Sequence, residues 1–547
     1  MRNVKKLWKW LSPYKLRLLW TTLLAVTDSV AMVLAALTVA NILNAIVQLD
    51  QAAFVRASVL STAFFGLGII TTYLYNANVA ILNESVVADI RRASLKAFEQ
   101  SEFQTFHKDK SENYAASMVT ELDIISTRSL SSFFKIVSNV SNLVASIIGL
   151  TYLHISLVII SFVLATLMFT IPGLFQKRMQ EMAQKVADSN STLLVKMSHW
   201  LAGFSILNDY DAKQLLREQL TAPIDDVKAV KIADGKLAAI VSAVSMMLSM
   251  FAQIGMIVFT GLLALKQLVP AGAILSTGNL AGMIFGPLSA LTVYISQFQS
   301  GFGTLDKIEA MIAQLKGQPT GQVAQLGDTN AITIQSRDLL VTFDDGRMVQ
   351  LPNLSLVGKR HYAIVGPSGI GKSVFLGLLS KNIHQYEGHL QLNHQEVKEL
   401  TERSVKDLIA YVPQSTYIFN LSAKENILLG NTDISPEHYQ AVVARAGLDS
   451  VFASWPQGDA TLIGDAHHSI SGGQAQRIGI ARALLSAKPI MLLDEVTANL
   501  DRTTAHEIEK TIHAFDDRLT ISVTHHLDET NQAFYDEVID FCHEAKV

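Results

Sequence analysis

Charge is scarce in this chain. Only 17% of its residues are Asp, Glu, Lys or Arg and 49% are hydrophobic, against about a quarter charged in an ordinary soluble protein. That balance excludes a wholly soluble or disordered chain. A basic excess is missing too: 44 Lys and Arg stand against 48 Asp and Glu, a formal charge of −4. No bulk positive field is available for non-specific binding, so nucleic acid is not an expected partner. Cysteine is almost absent. The single one, Cys542, excludes an intrachain disulfide framework and a cysteine-rich metal site, and it predicts a reducing compartment on its side of the chain.

The 547 residues allow three or four domain-sized units and a large core. Residues 1–17 carry Arg2, Lys5, Lys6, Lys9, Lys15 and Arg17 and no acid, interleaved with Trp8, Trp10 and Tyr14. The apolar run that follows is too long for a signal peptide and lacks a small-residue cleavage site. The segment therefore reads as an interfacial amphipathic helix leading into a membrane span. Apolar stretches able to cross about 30 Å of hydrocarbon recur at 18–47, 57–82, 136–153, 155–175, 237–265 and 271–298. From 136 to 176 there is no Asp, Glu, Lys or Arg, which calls for a hairpin of two spans turning near His154. Six membrane helices are predicted.

Charge at their ends orients them. The connections 83–135 and 177–236 hold about fifteen Lys and Arg, while the other three hold Arg56 and Lys266. The positive-inside rule then predicts a cytoplasmic N-terminus and two long cytoplasmic connections. Both are helical in pattern with few Gly or Pro, so they read as spans that run on into the cytosol and turn back there. Past Phe298 the helical pattern continues to Lys316, and Gly317-Gln318-Pro319-Thr320-Gly321 breaks it. From Ile332 onward short β-rich runs alternate with helices, at 361–365, 389–392, 408–412, 490–493 and 519–523. The expected fold is multi-domain: an elbow helix at 1–17, an all-α six-helix transmembrane domain at 18–316, a linker at 317–331, and an α/β phosphate-loop NTPase domain at 332–547.

Three motifs in that last domain carry chemistry. Gly366-Pro367-Ser368-Gly369-Ile370-Gly371-Lys372-Ser373 fits G-x-x-x-x-G-K-[ST] between a strand ending at Val365 and an apolar helix from Val374. Its glycines let backbone N–H groups wrap phosphates, Lys372 reaches the β and γ phosphates, and Ser373 binds Mg²⁺. Ile490-Met491-Leu492-Leu493-Asp494-Glu495 is an apolar strand ending in two carboxylates, with Asp494 to hold the metal and Glu495 to orient or deprotonate the attacking water. Between them, Ser471-Gly472-Gly473-Gln474 follows Ile470 and opens a helix. It is either a second anion site or a plain N-cap with a tight turn.

In this order the motifs resemble the nucleotide-binding domain of an ATP-binding cassette (ABC) transporter, and the six preceding spans are similar to an exporter-type half-transporter. The resemblance covers essentially the whole chain. It implies that Gln414 in Tyr411-Val412-Pro413-Gln414 is the glutamine that contacts Mg²⁺, water and the membrane domain. It also implies that His525 contacts the γ-phosphate, that Asp501 lies at a dimer interface, and that Phe343 stacks on adenine where the family usually has tyrosine. Thr461 to Asp465 resembles the short cross-talk loop. Ile470, Val374 and His526 are mild departures that remove no catalytic group. In the family, ATP is sandwiched between the phosphate loop of one nucleotide domain and the signature of another. One copy of each motif and six spans therefore imply a dimer with a second half-transporter chain, identical or different. Coupling helices are expected near 110–117 and 207–213.

The resemblance further implies ATP-driven transport, as an exporter, with ATP and Mg²⁺ as cofactors. Two alternatives remain open at this point, an importer on the same scaffold and a membrane-bound ATP-sensing regulator. The expected setting is a multi-pass protein in lipid, in a bacterial plasma membrane, with the N-terminus and the ATPase domain in the cytoplasm. Within the spans Asp28 is an acid near the middle of span one, accompanied by the amides of Asn41, Asn44, Asn139, Asn142 and Gln253. An intramembrane carboxylate is costly and usually faces a cavity, which makes Asp28 a candidate contact for a transported substrate. The alternative is a protonated or hydrogen-bonded Asp between helices. Pro287 is placed to kink span six.

Overall fold

The structure is a computed structural model that describes residues 2–316, 323, 332–343, 345–464, 467–497, 502–514, 518–524, 527 and 529–544. The chain divides into two compact units, one of Met1–Ala97 with Lys110–Ala313 and one of Phe98–Asp109 with Gln314–Val547.

The first unit is helical. Its long apolar helices are Lys15–Val47, Gln51–Glu99, Ser131–Leu153, Ile155–Gly173, Lys213–Leu265 and Ala273–Leu315. Five of these segments are long and apolar enough to cross a membrane, and Ile155–Gly173, with 19 residues, is a shorter apolar helix at the position of the remaining expected span. The predicted turn falls at His154, whose extended backbone separates two helices and whose Nδ1 lies 2.7 Å from Ser156 Oγ. Val33, Leu150, Leu157, Met256, Leu280 and Phe285 meet in one buried cluster, while Ile159, Phe162 and Val258 stay exposed, as expected where lipid replaces water as solvent. The helix Ala273–Leu315 runs on through Pro287. A close approach joins its start to span one. A Cβ on Gly272 would sit 2.1 Å from the Ala40 carbonyl oxygen, and the Gly272 N–H donates to Asn44 Oδ1 at 2.7 Å. Asn44 is thus a helix-packing group.

The basic N-terminal segment forms the helix Arg2–Leu11. Leu7 and Leu11 are buried on one side and Trp8 is exposed on the other. Lys6 pairs with Asp306, and Lys9 and Trp10 both bond Glu309, at 2.9 and 3.1 Å. The second long connection turns at Phe204–Asp209 before Lys213–Leu265 begins.

The second unit is α/β. An antiparallel sheet contains β1 (Thr333–Thr342), β2 (Met348–Gln350), β3 (Leu354–Val357), β5 (Glu387–Leu392) and β6 (Gln395–Glu396). A parallel sheet runs in the order β12 (Glu537–Asp540), β4 (His361–Val365), β11 (Leu519–Val523), β10 (Ile490–Asp494) and β7 (Ile409–Val412). A short ladder pairs β8 (Leu421–Ser422) with β9 (Leu462–Ile463). Strand β10 is buried throughout, and its alternation sorts its side chains. Ile490 and Leu492 join one hydrophobic cluster, while Met491 and Leu493 join another, because successive strand residues point to opposite faces.

One departure from the expected organisation concerns the first long connection. The family resemblance put a coupling helix near 110–117; the segment grouped with the α/β unit is Phe98–Asp109, with a helix at Phe103–His107. Its start is held from far along the chain. The Phe103 N–H is 3.2 and 3.0 Å from the two carboxylate oxygens of buried Glu402, which also pairs with Lys406. Periodicity cannot reveal a partner almost three hundred residues away.

The α/β unit also buries a basic group in an apolar setting. His513 lies edge-on to His361, with ring centroids 4.6 Å apart, and stacks on Phe534 at 5.7 Å. Burial, reinforced by His361, pulls its pKa down to about 3, whereas an unfolded histidine titrates near 6.5. The unfolded chain therefore takes the proton first. The stability from this group is complete above about pH 6.5 and is lost as pH falls toward 3. Melting temperatures of the purified protein should drop between pH 7 and pH 5, and His513→Phe should remove part of that drop. Equal acid sensitivity in the two proteins would refute the assignment.

Candidate functional site

The site grows from the C-terminal edge of the parallel sheet. Strand β4 ends at Val365, and the loop that follows bends into the helix Lys372–Leu379. Gly366, Gly369 and Gly371 adopt φ of +146°, +83° and +113°. At Gly371 the need for glycine is also steric, since a Cβ would lie 2.7 Å from both Leu351 and Val349. Pro367, Ser368 and Gly369 are exposed, Val374 packs against the core, and Phe375 and Leu376 behind it are fully buried. The arrangement is an open, tightly curved backbone rim on a rigid base.

Lys372 folds into that rim. Its Nζ donates to the carbonyls of Gly366 at 2.7 Å and Pro367 at 3.0 Å. Burial pulls its pKa below the usual lysine value, and Glu495 and Asp494 push the other way. Ser373 Oγ donates to Asp494 Oδ1 at 2.9 Å, and the Tyr411 hydroxyl donates to Asp494 Oδ2 at 3.1 Å. Burial raises the Asp494 pKa, and these two hydrogen bonds oppose the rise. A hydroxyl and a carboxylate converging this closely form a hard-oxygen donor pair of the kind Mg²⁺ takes together with phosphate oxygens and water. The residues present fit that ion.

Glu495 sits at a left-handed φ of +50°. Its N–H donates to the Val523 carbonyl at 3.1 Å, and its Oε2 accepts from Gln414 Nε2 at 2.7 Å. The structure thus brings together Gly366, Lys372, Ser373, Gln414, Asp494 and Glu495 from separate parts of the chain. Phe343 closes a turn between β1 and β2. Its N–H donates to the Arg347 carbonyl at 2.9 Å, and the Arg347 guanidinium lies 5.7 Å over its ring.

The Ser471-Gly472-Gly473-Gln474 motif is built elsewhere. Ser471 caps the helix Gly472–Leu485: its Oγ accepts from the Gln474 N–H at 3.3 Å, and Gln474 Oε1 accepts from the Ser471 N–H at 3.0 Å. This reciprocal pair is a capping box. Ser471 and Gly472 are exposed. The helix behind them packs into a hydrophobic cluster separate from that of the phosphate loop. Asp465, Asp501, His525 and His526 lie outside the described residues, as does most of 317–331.

Two contributors escaped the sequence reading. Tyr411 reaches Asp494 only because β7 and β10 pair in register. Gln476 donates to the Pro413 carbonyl at 3.2 Å and accepts from Thr416 Oγ1 at 3.1 Å, tying the Ser471 helix to both sides of Gln414. A buried glutamine one turn into a helix was the available signal, and its partner was not readable.

A membrane-embedded helical unit joined in one chain to a phosphate-loop ATPase unit defines a class, and comparison with known proteins identifies it. Residues 18–288 match the ABC transporter transmembrane region family and residues 349–498 match the ABC transporter family. The chain belongs to the ABC transporters and is an ATP-hydrolysing, multi-pass membrane transporter. It is 31% identical to the glutathione/L-cysteine transport system ATP-binding/permease protein CydD of Escherichia coli (strain K12), over 47% of this chain and 45% of that relative. It is 20% identical to the ATP-dependent lipid A-core flippase of Desulfotalea psychrophila (strain LSv54 / DSM 12343), over 97% of this chain and 93% of the relative. The structure of a bacterial Atm1-family ABC exporter with ATP bound aligns with a TM-score of 0.82 at 19% identity, covering 96% of this chain and 93% of that one.

Proposed function

We propose that this chain is half of a dimeric exporter in which ATP sandwiched between two ATPase units drives alternating access of the membrane helices. The convergence of Ser373 on Asp494 and of Gln414 on Glu495 at one sheet edge carries the reading. It joins metal-holding and water-orienting groups beside a phosphate loop. The backbone of 366–371 cradles the phosphates, and Lys372 leaves its two carbonyl partners for the β and γ phosphates. Ser373, Asp494 and Gln414 would hold Mg²⁺, which would supply positive charge to offset that of the phosphates. Glu495, its backbone pinned to Val523, takes the proton of the attacking water, with His525 on the γ-phosphate. Phe343 stacks on adenine.

Ser471 to Gln474 close over the nucleotide held by a second half-transporter chain, and Asp501 lines that interface. Separate hydrophobic clusters beneath the two motifs support one site assembled from two chains. Gln476 links the helix Gly472–Leu485 to the Gln414 segment, and Glu402 secures the Phe103–His107 helix. Closure of the ATPase units is thereby passed to the connections of the spans. Asp28 contacts the transported substrate. The setting is a bacterial plasma membrane with the ATPase unit in the cytoplasm.

The direction has a direct test. Inside-out vesicles given Mg-ATP should accumulate a transported compound, and right-side-out vesicles should not. The reverse pattern would establish an importer, and ATP turnover with no accumulation in either would favour a regulator.

A further inference from the structure

The six apolar spans read from the sequence contain one formally charged side chain, Asp28. It lies in the helix Lys15–Val47, ten residues past Leu18 and so about 15 Å along the helix axis from the start of the span. Thr72 Oγ1 donates to its Oδ1 at 2.7 Å and Thr71 Oγ1 donates to the same oxygen at 3.1 Å. Among the described residues neither a cation nor a second donor meets Oδ2. Asp28 lines a cavity of about 460 Å³ together with Met32, Phe65, Asn142, Asn279 and Met283. That volume is in the range of sites for drug-sized molecules, about 300–1,000 Å³.

The charge of this lining is one-sided. A carboxylate, two polarizable thioethers and one aromatic face suit positive charge, while the amides of Asn142 and Asn279 can serve either sign. Among the described residues no Lys or Arg lines the cavity, and none lies within the apolar spans, so an anionic ligand would leave water for a site with no counter-charge. Burying a lone carboxylate in hydrocarbon is costly unless something offsets it, and two hydroxyls on one oxygen do so only in part. We infer that the cavity around Asp28 binds amphiphilic organic monocations, whose charge sits against Asp28 while their apolar groups lie on Met32, Phe65 and Met283. This rests on the transporter reading above and adds the charge class of its cargo.

The test compares two ions of nearly the same shape and opposite sign, tetraphenylphosphonium and tetraphenylborate. Binding to the full-length protein in nanodiscs of zwitterionic lipid is measured by equilibrium dialysis, with empty nanodiscs subtracted. The phosphonium should bind saturably and at least about tenfold tighter than the borate, a ratio a single partly desolvated ion pair can supply. Asp28→Asn should bring the two affinities to within about threefold, and Asp28→Glu should restore the preference.

Equal binding of both ions, tighter binding of the borate, no saturable phosphonium binding, or an unchanged preference in Asp28→Asn would each overturn the inference. The comparison of the two ions on the unaltered protein stands even if a variant fails to fold. ATP turnover in the same nanodiscs separates the two readings. Its absence counts against the transporter assignment itself, whereas turnover without charge discrimination overturns only the cation inference.

Discussion

Replacing Glu495 with glutamine should lower steady-state ATP turnover by at least about 100-fold, the scale on which a positioned general base contributes, while ATP stays bound. The geometry favours a clean loss of chemistry. The Glu495 backbone is held by its N–H bond to Val523, and the substitution leaves that bond untouched. Its side chain accepts from Gln414 Nε2 at 2.7 Å, and a glutamine amide oxygen can accept the same bond. Shape and anchorage survive, and only the capacity to take a proton disappears. Two ATP molecules should therefore remain trapped between paired ATPase units, seen as nucleotide retained through gel filtration. Phosphate release within threefold of the unaltered protein would show that Glu495 is not the base.

Lys372→Ala should act one step earlier, weakening ATP binding by about 100-fold, since hydrogen bonds to charged groups contribute about 1.5–3 kcal/mol each and Lys372 can make more than one. In the structure its ammonium already lies inside the loop, on the carbonyls of Gly366 and Pro367. Phosphate oxygens then substitute for partners it has, and little reorganisation is needed. Lys372→Arg should restore binding only in part, because a planar guanidinium is a different shape from a compact ammonium. Titration with a fluorescent ATP analogue reads both variants. Undiminished affinity in Lys372→Ala would remove the phosphate loop from the site.

The two substitutions separate binding from chemistry, and the residues they touch differ in how far they could be read in advance. Lys372 sits in a motif whose spacing dictates a strand, a tight loop and a helix, and the structure has all three in that order. The strands at 361–365 and 519–523 coincide with β4 and β11, because five-residue runs rich in aliphatic and β-branched residues between turns leave little choice of boundary. Gln414 and Glu495, by contrast, stand more than eighty positions apart. Their contact depends on the register of β7 against β10. The same holds for Tyr411 and for Gln476, which came to notice only through their partners.

From its residue order alone this chain determined where apolar helices run, which connections carry the basic residues, and which short segment bends between a strand and a helix. Those properties follow from hydrophobic periodicity, charge bias and local loop conformation, all of which act within a few dozen residues. Tertiary structure alone decided that Glu402 holds the segment beginning at Phe103, that Asn44 is spent on Gly272, and that Asp28 faces a cavity with Asn142 and Met283. Each of these joins groups that are distant in sequence. Their contacts depend on how whole helices and sheets pack, which no local pattern records.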